Sequence, residues 1–374
     1  MIIAALATVL CFNVACAAPA FNGVFYVPQP DGSTFRAVKT GDEFANFSKT
    51  DTGFPIVLNP GTGYWEYGRV DSAGNITASG LIVGKDAPAG IERPPAARIL
   101  AARRSASRIT TATRQTNEMI DNTGNQYLLV IAAAFTDKSL TTSESDWQQR
   151  IFGSSGSVKD YYKEVSYGQL QLLPAPESYG SANNGVVVVT VPHSHPNSDG
   201  EQTVADVIHA ADSFVDFSSF DRNTDGKLTS DELHLVIILA GYEKSYGEPP
   251  SPGIWAHNAC EIPAPATADG VQIGTCSSSS KSGSYTMVGE LMYNSQNSKQ
   301  TTIGVIAHEV GHSLGLPDLY DTENSSEGVG SWSIMGSGNW NTVTTSGDSP
   351  AHPDAWSKWL EGWAVPRQVT GPES

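Results

Sequence analysis

The fold is decided by one stretch of sequence: His308-Glu309-Val310-Gly311-His312-Ser313-Leu314-Gly315-Leu316-Pro317-Asp318. Residues four apart share one face of a helix, so both imidazoles of this stretch point the same way. Two neutral imidazoles at that spacing can bind one Zn²⁺, and the glutamate between them can take a proton from zinc-bound water. Gly315 is suited to ending the helix, and the turn that it allows could return Asp318 to the metal as a third ligand.

The residues after the second histidine make this interpretation specific. The first five residues of the motif also occur by chance, as buried polar residues of helices, but here a glycine and an aspartate follow at the spacing found in metzincins. That spacing normally ends in histidine, so Asp318 is a departure. Downstream, Ser331-Trp332-Ser333-Ile334-Met335-Gly336 predicts a Met-turn that places Met335 beneath the metal, although a methionine in a glycine-rich loop can also simply fill the core.

Together these residues resemble the immune inhibitor A family of secreted metallopeptidases. The matching residues are the motif continued through Leu319-Tyr320-Asp321 and the segment Trp332 to Gly338. Three further segments are similar to that family: 157–168, 254–257 and 353–359. The resemblance covers roughly residues 24 to 366. It implies an α+β, metzincin-like zincin catalytic domain with a twisted mixed sheet, an aspartate as third zinc ligand, and a propeptide.

The first residues have the composition of an export signal. Residues 1–18 are mostly apolar, and Ala15-Cys16-Ala17 fits a cleavage site with small residues. A buried N-terminal strand or a membrane anchor is the alternative, but the apolar run is short for a membrane span. We therefore expect a secreted, extracellular protein without stable membrane insertion. In an oxidising compartment Cys260 and Cys276 are expected to form a disulfide, with two free thiols as the alternative.

Three parts are predicted to follow the signal. Residues 19–93 alternate short apolar stretches with turn residues, which predicts a small β-rich unit, and the resemblance makes it a propeptide. Residues 94–118 form an Arg-rich activation linker, which a trypsin-like protease could cut near Arg103, Arg104 or Arg108; an uncut tether or a short helix is the alternative. Residues 119–374 form the catalytic domain.

The way in which the propeptide blocks the site is left open. Without cysteine, a carboxylate is the remaining strong anionic ligand for the metal, and the candidates are Asp31, Asp42, Asp51, Asp71 and Asp86. Steric cover of the cleft is an equal alternative.

A second metal site is predicted at residues 221–232, which fit the twelve-residue Ca²⁺ loop. Its ligands would be Asp221, Asn223, Asp225, the backbone carbonyl of Lys227, and Glu232. A strand rather than a helix is expected to follow, which favours a structural site over a sensor. The alternative is an Asx-rich turn without an ion.

Composition excludes some partners. The 374 residues carry 39 acidic and 22 basic side chains, a formal net charge of −17, which argues against nucleic acid as a partner. We expect a monomer that acts on proteins or peptides as a zinc-dependent endopeptidase, made as a zymogen and stabilised by calcium. The alternatives are a non-peptide amidase that uses the same zinc site and a catalytically silent, calcium-dependent adhesin on a protease fold.

Overall fold

A computed structural model describes residues 15–107, 122–197, 201–259, 266–274, 284–294 and 297–367. The strands in chain order are β1 Ala15–Ala17, β2 Phe25–Pro28, β3 Thr34–Gly41, β4 Asn46–Thr50, β5 Pro55–Leu58, β6 Trp65–Val70, β7 Ile76–Ile82, β8 Gly124–Ala134, β9 Leu170–Pro174, β10 Val186–Thr190, β11 Lys227–Leu228, β12 His234–Glu243, β13 Gly253–Ile254, β14 His257–Ala259, β15 Ala266–Ala268, β16 Val271–Ile273, β17 Tyr285–Met292 and β18 Lys299–Gln300. The helices are α1 Ala96–Ser107, α2 Glu144–Phe152, α3 Val158–Val165, α4 Glu201–Ala211, α5 Ile303–Leu314 and α6 Ala355–Leu360.

The N-terminal region contains an antiparallel sheet of six strands, β2 to β7, each paired with the next in sequence. Alternate residues of these strands point to one face, where Val27, Phe35, Ile56 and Tyr67 form a small core. These strands fall inside the region that the sequence predicts to be β-rich. Its role as a propeptide stays a prediction.

Helix α1, Ala96–Ser107, lies in the predicted activation linker. Its residues Ile99 and Leu100 are fully buried and pack beside Phe47 of the small sheet. Arg103 donates to the carbonyl oxygens of Gly74 and Asn46. The structure therefore agrees with the short-helix alternative at this place, and a protease would need the helix to open before it could cut beside Arg103. Arg108, the third predicted cleavage position, lies outside the described residues.

The larger sheet has nine strands and carries the predicted zinc helix. Its main order is β1-β14-β17-β12-β8-β10; β9 pairs with β8, β13 with β12 and β18 with β17. Strands β8, β10, β12 and β17 are parallel, and β14 runs antiparallel to β17. Both faces of the sheet are covered, so β8 and β12 are continuous apolar runs rather than alternating ones. This mixed sheet with helices agrees with the predicted fold at the level of α and β content.

The two faces of the sheet build two separate cores. On β8, Leu128, Val130 and Ala132 point to the face that α3 and α5 cover. Leu129, Ile131 and Ala133 point to the opposite face, which α4 covers. Helix α3 begins after Ser157, whose side chain caps it by accepting from the Asp160 N–H. The zinc helix α5 is thus fixed against the sheet along its whole length.

The first described residues form an edge strand of this sheet. Strand β1 pairs antiparallel with β14, with Ala17 opposite His257. The segment that fits a cleavage site is therefore part of the sheet in the intact chain, as the alternative of a buried N-terminal strand expects. Removal of residues 1–18 stays a prediction. Among the described residues, none of the helices is long and apolar enough to cross a membrane. Cys260 and Cys276, and hence the predicted disulfide, lie outside the described residues.

Candidate metal centre and cleft

The zinc motif folds as the sequence predicts. His308 and His312 lie on one face of α5, fully buried, with their Nε2 atoms 3.2 Å apart. Gly315 ends the helix in the left-handed region, with φ of 111°, which a residue without a Cβ adopts most easily. Its N–H donates to the carbonyl oxygens of Gly311 and His312, so the chain reverses at once. This reversal brings Asp318 back over the two imidazoles.

Asp318 completes a triangle of ligand atoms. Its Oδ1 lies 3.2 Å from the Nε2 of His308 and 3.2 Å from that of His312. A zinc ion roughly 2.0–2.1 Å from three tetrahedral ligand atoms sets those atoms about 3.3–3.4 Å apart, so the triangle fits the ion. In the described part of the chain, these three side chains are the one group of His, Cys, Asp or Glu residues with ligand atoms close enough to share an ion.

Main-chain carbonyls fix the tautomer of both imidazoles. The Nδ1 of His308 lies 2.8 Å from the carbonyl oxygen of Ile334, and the Nδ1 of His312 lies 2.7 Å from that of Leu316. A carbonyl oxygen can only accept, so each Nδ1 carries the proton. Each Nε2 then keeps its lone pair directed at the centre of the triangle, as a metal ligand requires.

The turn around Met335 packs directly against the zinc helix. The N–H groups of Gly336 and Gly338 both donate to the carbonyl oxygen of Ser333, which closes the turn. Met335 is fully buried, and a Cβ added at Gly311 would lie 2.8 Å from its Sδ. Gly311 is therefore required where the turn meets the helix. The assignment of this turn as a metzincin Met-turn stays a prediction.

The charges of the ligand set are complementary. Burial raises the pKa of the Asp318 carboxyl, but His312 and His308, when their Nε2 atoms carry a proton, outweigh burial through charge and hydrogen bonds and bring that pKa down to about 2. A metal ion bound at Nε2 would take the place of that proton. Asp318 is thus held as a carboxylate, the form that binds a metal ion.

Glu309 is fully buried beside this triangle. Its Oε1 accepts a hydrogen bond of 2.6 Å from the main-chain N–H of Ala18. Its Oε2 is buried and has no hydrogen-bond partner among the described residues. Burial, followed by the negative charge of Asp318, raises the pKa of the Glu309 carboxyl well above its usual range. A carboxyl group so placed is suited to accepting and returning a proton.

The segment from Ala17 to Pro19 lies in the cleft beside Glu309. Its three carbonyl oxygens accept hydrogen bonds from Tyr320 Oη at 2.9 Å, Trp255 Nε1 at 2.8 Å and Trp340 Nε1 at 2.9 Å, in chain order. Sequence reasoning missed all three as functional residues. Tyr320 could have been suspected because it follows Asp318 by two residues, whereas nothing local in the sequence distinguishes the two tryptophans.

One of the five candidate aspartates reaches this region. Asp42 is buried, while Asp31, Asp51, Asp71 and Asp86 are exposed. The Asp42 carboxylate forms an ion pair with Arg104, and it also accepts from the N–H of Ala45.

Its neighbour Glu43 was not among the candidates. Both carboxylate oxygens of Glu43 are buried without a hydrogen-bond partner among the described residues. Burial and the charges of Asp42, Asp318 and Glu309 raise its pKa well above the usual range. A search limited to aspartate could not have found it.

The predicted calcium loop is a compact turn followed by a strand. Gly226 is in the left-handed region with φ of 77°, and the Asp221 carboxylate accepts from the N–H of Gly226. Glu232 is buried; its Oε1 accepts from the N–H of Arg222, and its Oε2 has no partner among the described residues. In the part of the chain that the structure describes, the loop carboxylates are not gathered into a group of three around one point.

The comparisons agree with the geometry of the zinc motif. A family model described as "Immune inhibitor A peptidase M6, catalytic domain" matches residues 155–364, more than half of the chain. Over 236 residues the chain is 31% identical to "Immune inhibitor A" of Bacillus thuringiensis subsp. alesti, which is 56% of this chain and 33% of that protein. Over 57 residues it is 49% identical to "Pre-pro-metalloprotease PrtV" of Vibrio cholerae serotype O1 (strain M66-2), 15% of this chain and 6% of that protein. The chain spans a third or less of the length of these relatives. The resemblance inferred from the motif is confirmed.

The ligand role of Asp318 can be tested by metal affinity. Replacing Asp318 by alanine leaves two histidines, so the dissociation constant for Zn²⁺ should rise by more than the roughly 10–100-fold that loss of an outer hydrogen-bond partner costs. The measurement is competition against a chelator of known affinity, on the full chain. Asp321→Ala is the matched control, because the Asp321 carboxylate accepts from Ser325 and Ser326 of its own exposed turn. An unchanged affinity in Asp318→Ala would mean that another residue is the third ligand.

Proposed function

Because the chain belongs to the immune inhibitor A peptidase M6 family, we propose that it is a secreted, zinc-dependent endopeptidase that hydrolyses peptide bonds of proteins. The observation that carries the proposal is the triangle of His308, His312 and Asp318 with the buried Glu309 beside it. A catalytically silent adhesin does not need three metal ligands with a buried glutamate beside them. No observation therefore favours the adhesin alternative. A peptide main chain in the cleft favours a peptidase over an amidase that acts on other substrates.

Each of the chain's own groups has a distinct task in this reaction. When bound, Zn²⁺ lowers the pKa of its water toward neutrality and polarises the carbonyl group of the substrate. Glu309 takes the proton from the attacking water and returns it to the leaving amine. The hydrogen bond from the Ala18 N–H supports this role, because it demonstrates that the Glu309 carboxylate can reach a peptide nitrogen. Met335 shapes the floor of the site and takes no part in the chemistry.

The general base is tested by Glu309→Gln. This change keeps all three ligands, so the zinc content should stay at one ion per chain, while hydrolysis of casein should fall by the roughly 10²–10⁴-fold that acid–base catalysis contributes. The assay uses the full chain loaded with Zn²⁺ and treated with trypsin, and cell-wall material serves as a second substrate. Glu327→Gln, on the exposed surface, is the control. Near-normal turnover in Glu309→Gln would refute the role of the base, and an inactive wild type would refute the endopeptidase itself.

The intact chain is the latent form in this proposal. In a chain that keeps residues 17 and 18, the segment Ala17–Pro19 lies against Glu309. Removal of the predicted signal would leave Pro19 and the small sheet, which contacts the segment after β12 through the ion pair between Lys39 and Glu248. Among the carboxylates of the small sheet, Glu43 is a candidate for a blocking ligand beside Asp42, because its buried oxygens lack a hydrogen-bond partner among the described residues; it does not belong to the group of ligand atoms around the metal position. Steric cover by the small sheet is compatible with such a ligand.

Latency is tested by cutting the linker. The uncut, zinc-loaded chain should be inactive on casein, and trypsin should release the activity with a lag, because α1 must open before cleavage. Mass spectrometry should place the cut between Pro94 and Thr113.

Glu43→Gln in the uncut chain should raise the basal activity if a carboxylate blocks the metal, and Asp31→Ala, which is exposed, is its control. Full activity of the uncut wild type would overturn the propeptide interpretation.

The loop at 221–232 is proposed as a structural Ca²⁺ site. In support, the buried Glu232 has an Oε2 without a hydrogen-bond partner among the described residues, and its Oε1 accepts from the N–H of Arg222 in the loop. The loop supplies acidic and amide oxygens at the spacing that Ca²⁺ uses. Lys227–Leu228 pairs with β16, so an ion in the loop would stabilise the three-stranded sheet β11-β16-β15.

Calcium binding is tested by thermal unfolding. An ion that binds only the folded chain at 100 times its dissociation constant adds about 2.7 kcal/mol to the free energy of unfolding. Adding Ca²⁺ should therefore raise the Tm of the full chain, and Asp225→Ala should abolish that rise. Asp212→Ala, which lies outside the loop, should keep it. A Ca²⁺ response in Asp225→Ala equal to that of the wild type would leave the loop as an ordinary turn.

A further inference from the structure

One peptide bond of the chain itself spans the cleft. The N–H of the Ala17–Ala18 bond donates to Glu309 Oε1 at 2.6 Å, and its carbonyl oxygen accepts from Tyr320 Oη at 2.9 Å. Both alanines are fully buried. The two ends of a single peptide group are therefore bound by the general base on one side and by a tyrosine hydroxyl on the other.

The chain around this bond is held as an extended peptide. Strand β1 adds to the edge of the larger sheet, antiparallel to β14, as peptides do when they bind by strand addition. Beyond the bond, Trp255 and Trp340 donate to the next two carbonyl oxygens. All of these contacts are to main-chain atoms, so any peptide of suitable shape can repeat them. The segment thus indicates how a substrate peptide lies in the cleft.

From this arrangement we propose that Tyr320 is a catalytic residue, which donates a hydrogen bond to the carbonyl oxygen of the bond being cleaved. The inference rests on the proposed endopeptidase function. In the described part of the chain, the Tyr320 hydroxyl contacts the carbonyl oxygen of the peptide group whose nitrogen faces Glu309. A donor at that oxygen is what hydrolysis of an amide requires, because negative charge develops there.

Peptide hydrolysis would proceed in two stages. The oxygen of water bonds to the carbonyl carbon and gives its proton to Glu309, while the carbonyl π electrons move to the oxygen that Tyr320 Oη faces. The carbonyl then re-forms, the C–N bond breaks, and the leaving nitrogen takes the proton from Glu309. Tyr320 keeps its own proton throughout and acts only by hydrogen bonding.

The backbone beside Tyr320 is fixed before any substrate binds. The N–H of Leu319 donates to the carbonyl oxygen of Met335 at 2.8 Å, and the carbonyl oxygen of Leu319 accepts from Val329 at 3.0 Å. The tyrosine is thus attached to the same turn that holds Asp318 and is supported by the turn beneath the zinc helix. A donor whose position is fixed in advance needs no reorganisation when charge develops, and this is the source of its effect on rate.

The experiment compares Tyr320→Phe with the wild type, both as the full chain loaded with Zn²⁺ and treated with trypsin. Loss of one such donor should lower kcat by roughly 10²–10³-fold with KM little changed. Zinc content and Tm should match the wild type. Tyr179→Phe, which removes a hydroxyl in the core on the opposite face of the sheet, should behave as the wild type.

Two inhibitors separate catalysis from mere positioning. A phosphonamidate peptide carries a tetrahedral anion at the cleaved position, and a reduced-amide peptide of the same sequence has no oxygen there. Tyr320→Phe should raise the inhibition constant of the phosphonamidate by about the factor by which kcat falls, and should leave the inhibition constant of the reduced amide unchanged. Equal weakening of both inhibitors, or an unchanged kcat, would overturn the role of Tyr320 while leaving the endopeptidase intact. An inactive wild type would instead overturn the proposed function, and this inference with it.

Discussion

Three ligand atoms are held 3.2 Å apart at the centre of the catalytic region, and the rest of that region depends on this constraint. His308 and His312 are fully buried, and Asp318 carries a negative charge beside them. Bringing two imidazoles and a carboxylate this close costs free energy unless a cation lies among them, because a buried charge needs a compensating partner. The helix supplies two atoms of the triangle, and the left-handed Gly315 returns the third. The carbonyls of Ile334 and Leu316 then prevent the imidazoles from turning away.

The N-terminal segment uses the same groups that catalysis would use. The N–H of Ala18 donates to Glu309, and the carbonyl oxygen of Ala17 accepts from Tyr320. A segment that binds in this way blocks the cleft and at the same time reproduces the main-chain contacts of a substrate. Its residues are small, so the contacts are made by the backbone and the tryptophan and tyrosine side chains around it. In the proposed zymogen, latency and substrate binding would be two uses of one main-chain site.

The sequence predicted what depends on local pattern and missed what depends on distant contacts. The zinc helix and its glycine end follow from spacing and from the residue types at helix ends. The strands of the N-terminal unit follow from short apolar stretches between turn residues. The edge strand at Ala15–Ala17 could not be separated from an export signal, because small apolar residues suit both. Trp340 reaches Pro19 across more than 300 residues of chain, and no local pattern reports such a contact. Glu43 was not predicted because only aspartates were considered as blocking ligands.

An aspartate as third ligand has a consequence for the rest of the site. A carboxylate brings a full negative charge to the metal, where a histidine would bring none, so the charge that remains to polarise a substrate carbonyl is smaller. Burial, followed by the charge of the same carboxylate, raises the pKa of Glu309. The proposed site would thus combine a stronger base with a weaker attraction for the developing oxyanion. A neutral hydrogen-bond donor that faces the carbonyl oxygen would offset the weaker stabilisation of the oxyanion without adding charge beside Glu309. Tyr320 lies two residues from Asp318 on the same turn. The carboxylate that reduces the attraction of the metal for the oxyanion and the hydroxyl that is proposed to bind this oxyanion are therefore positioned together.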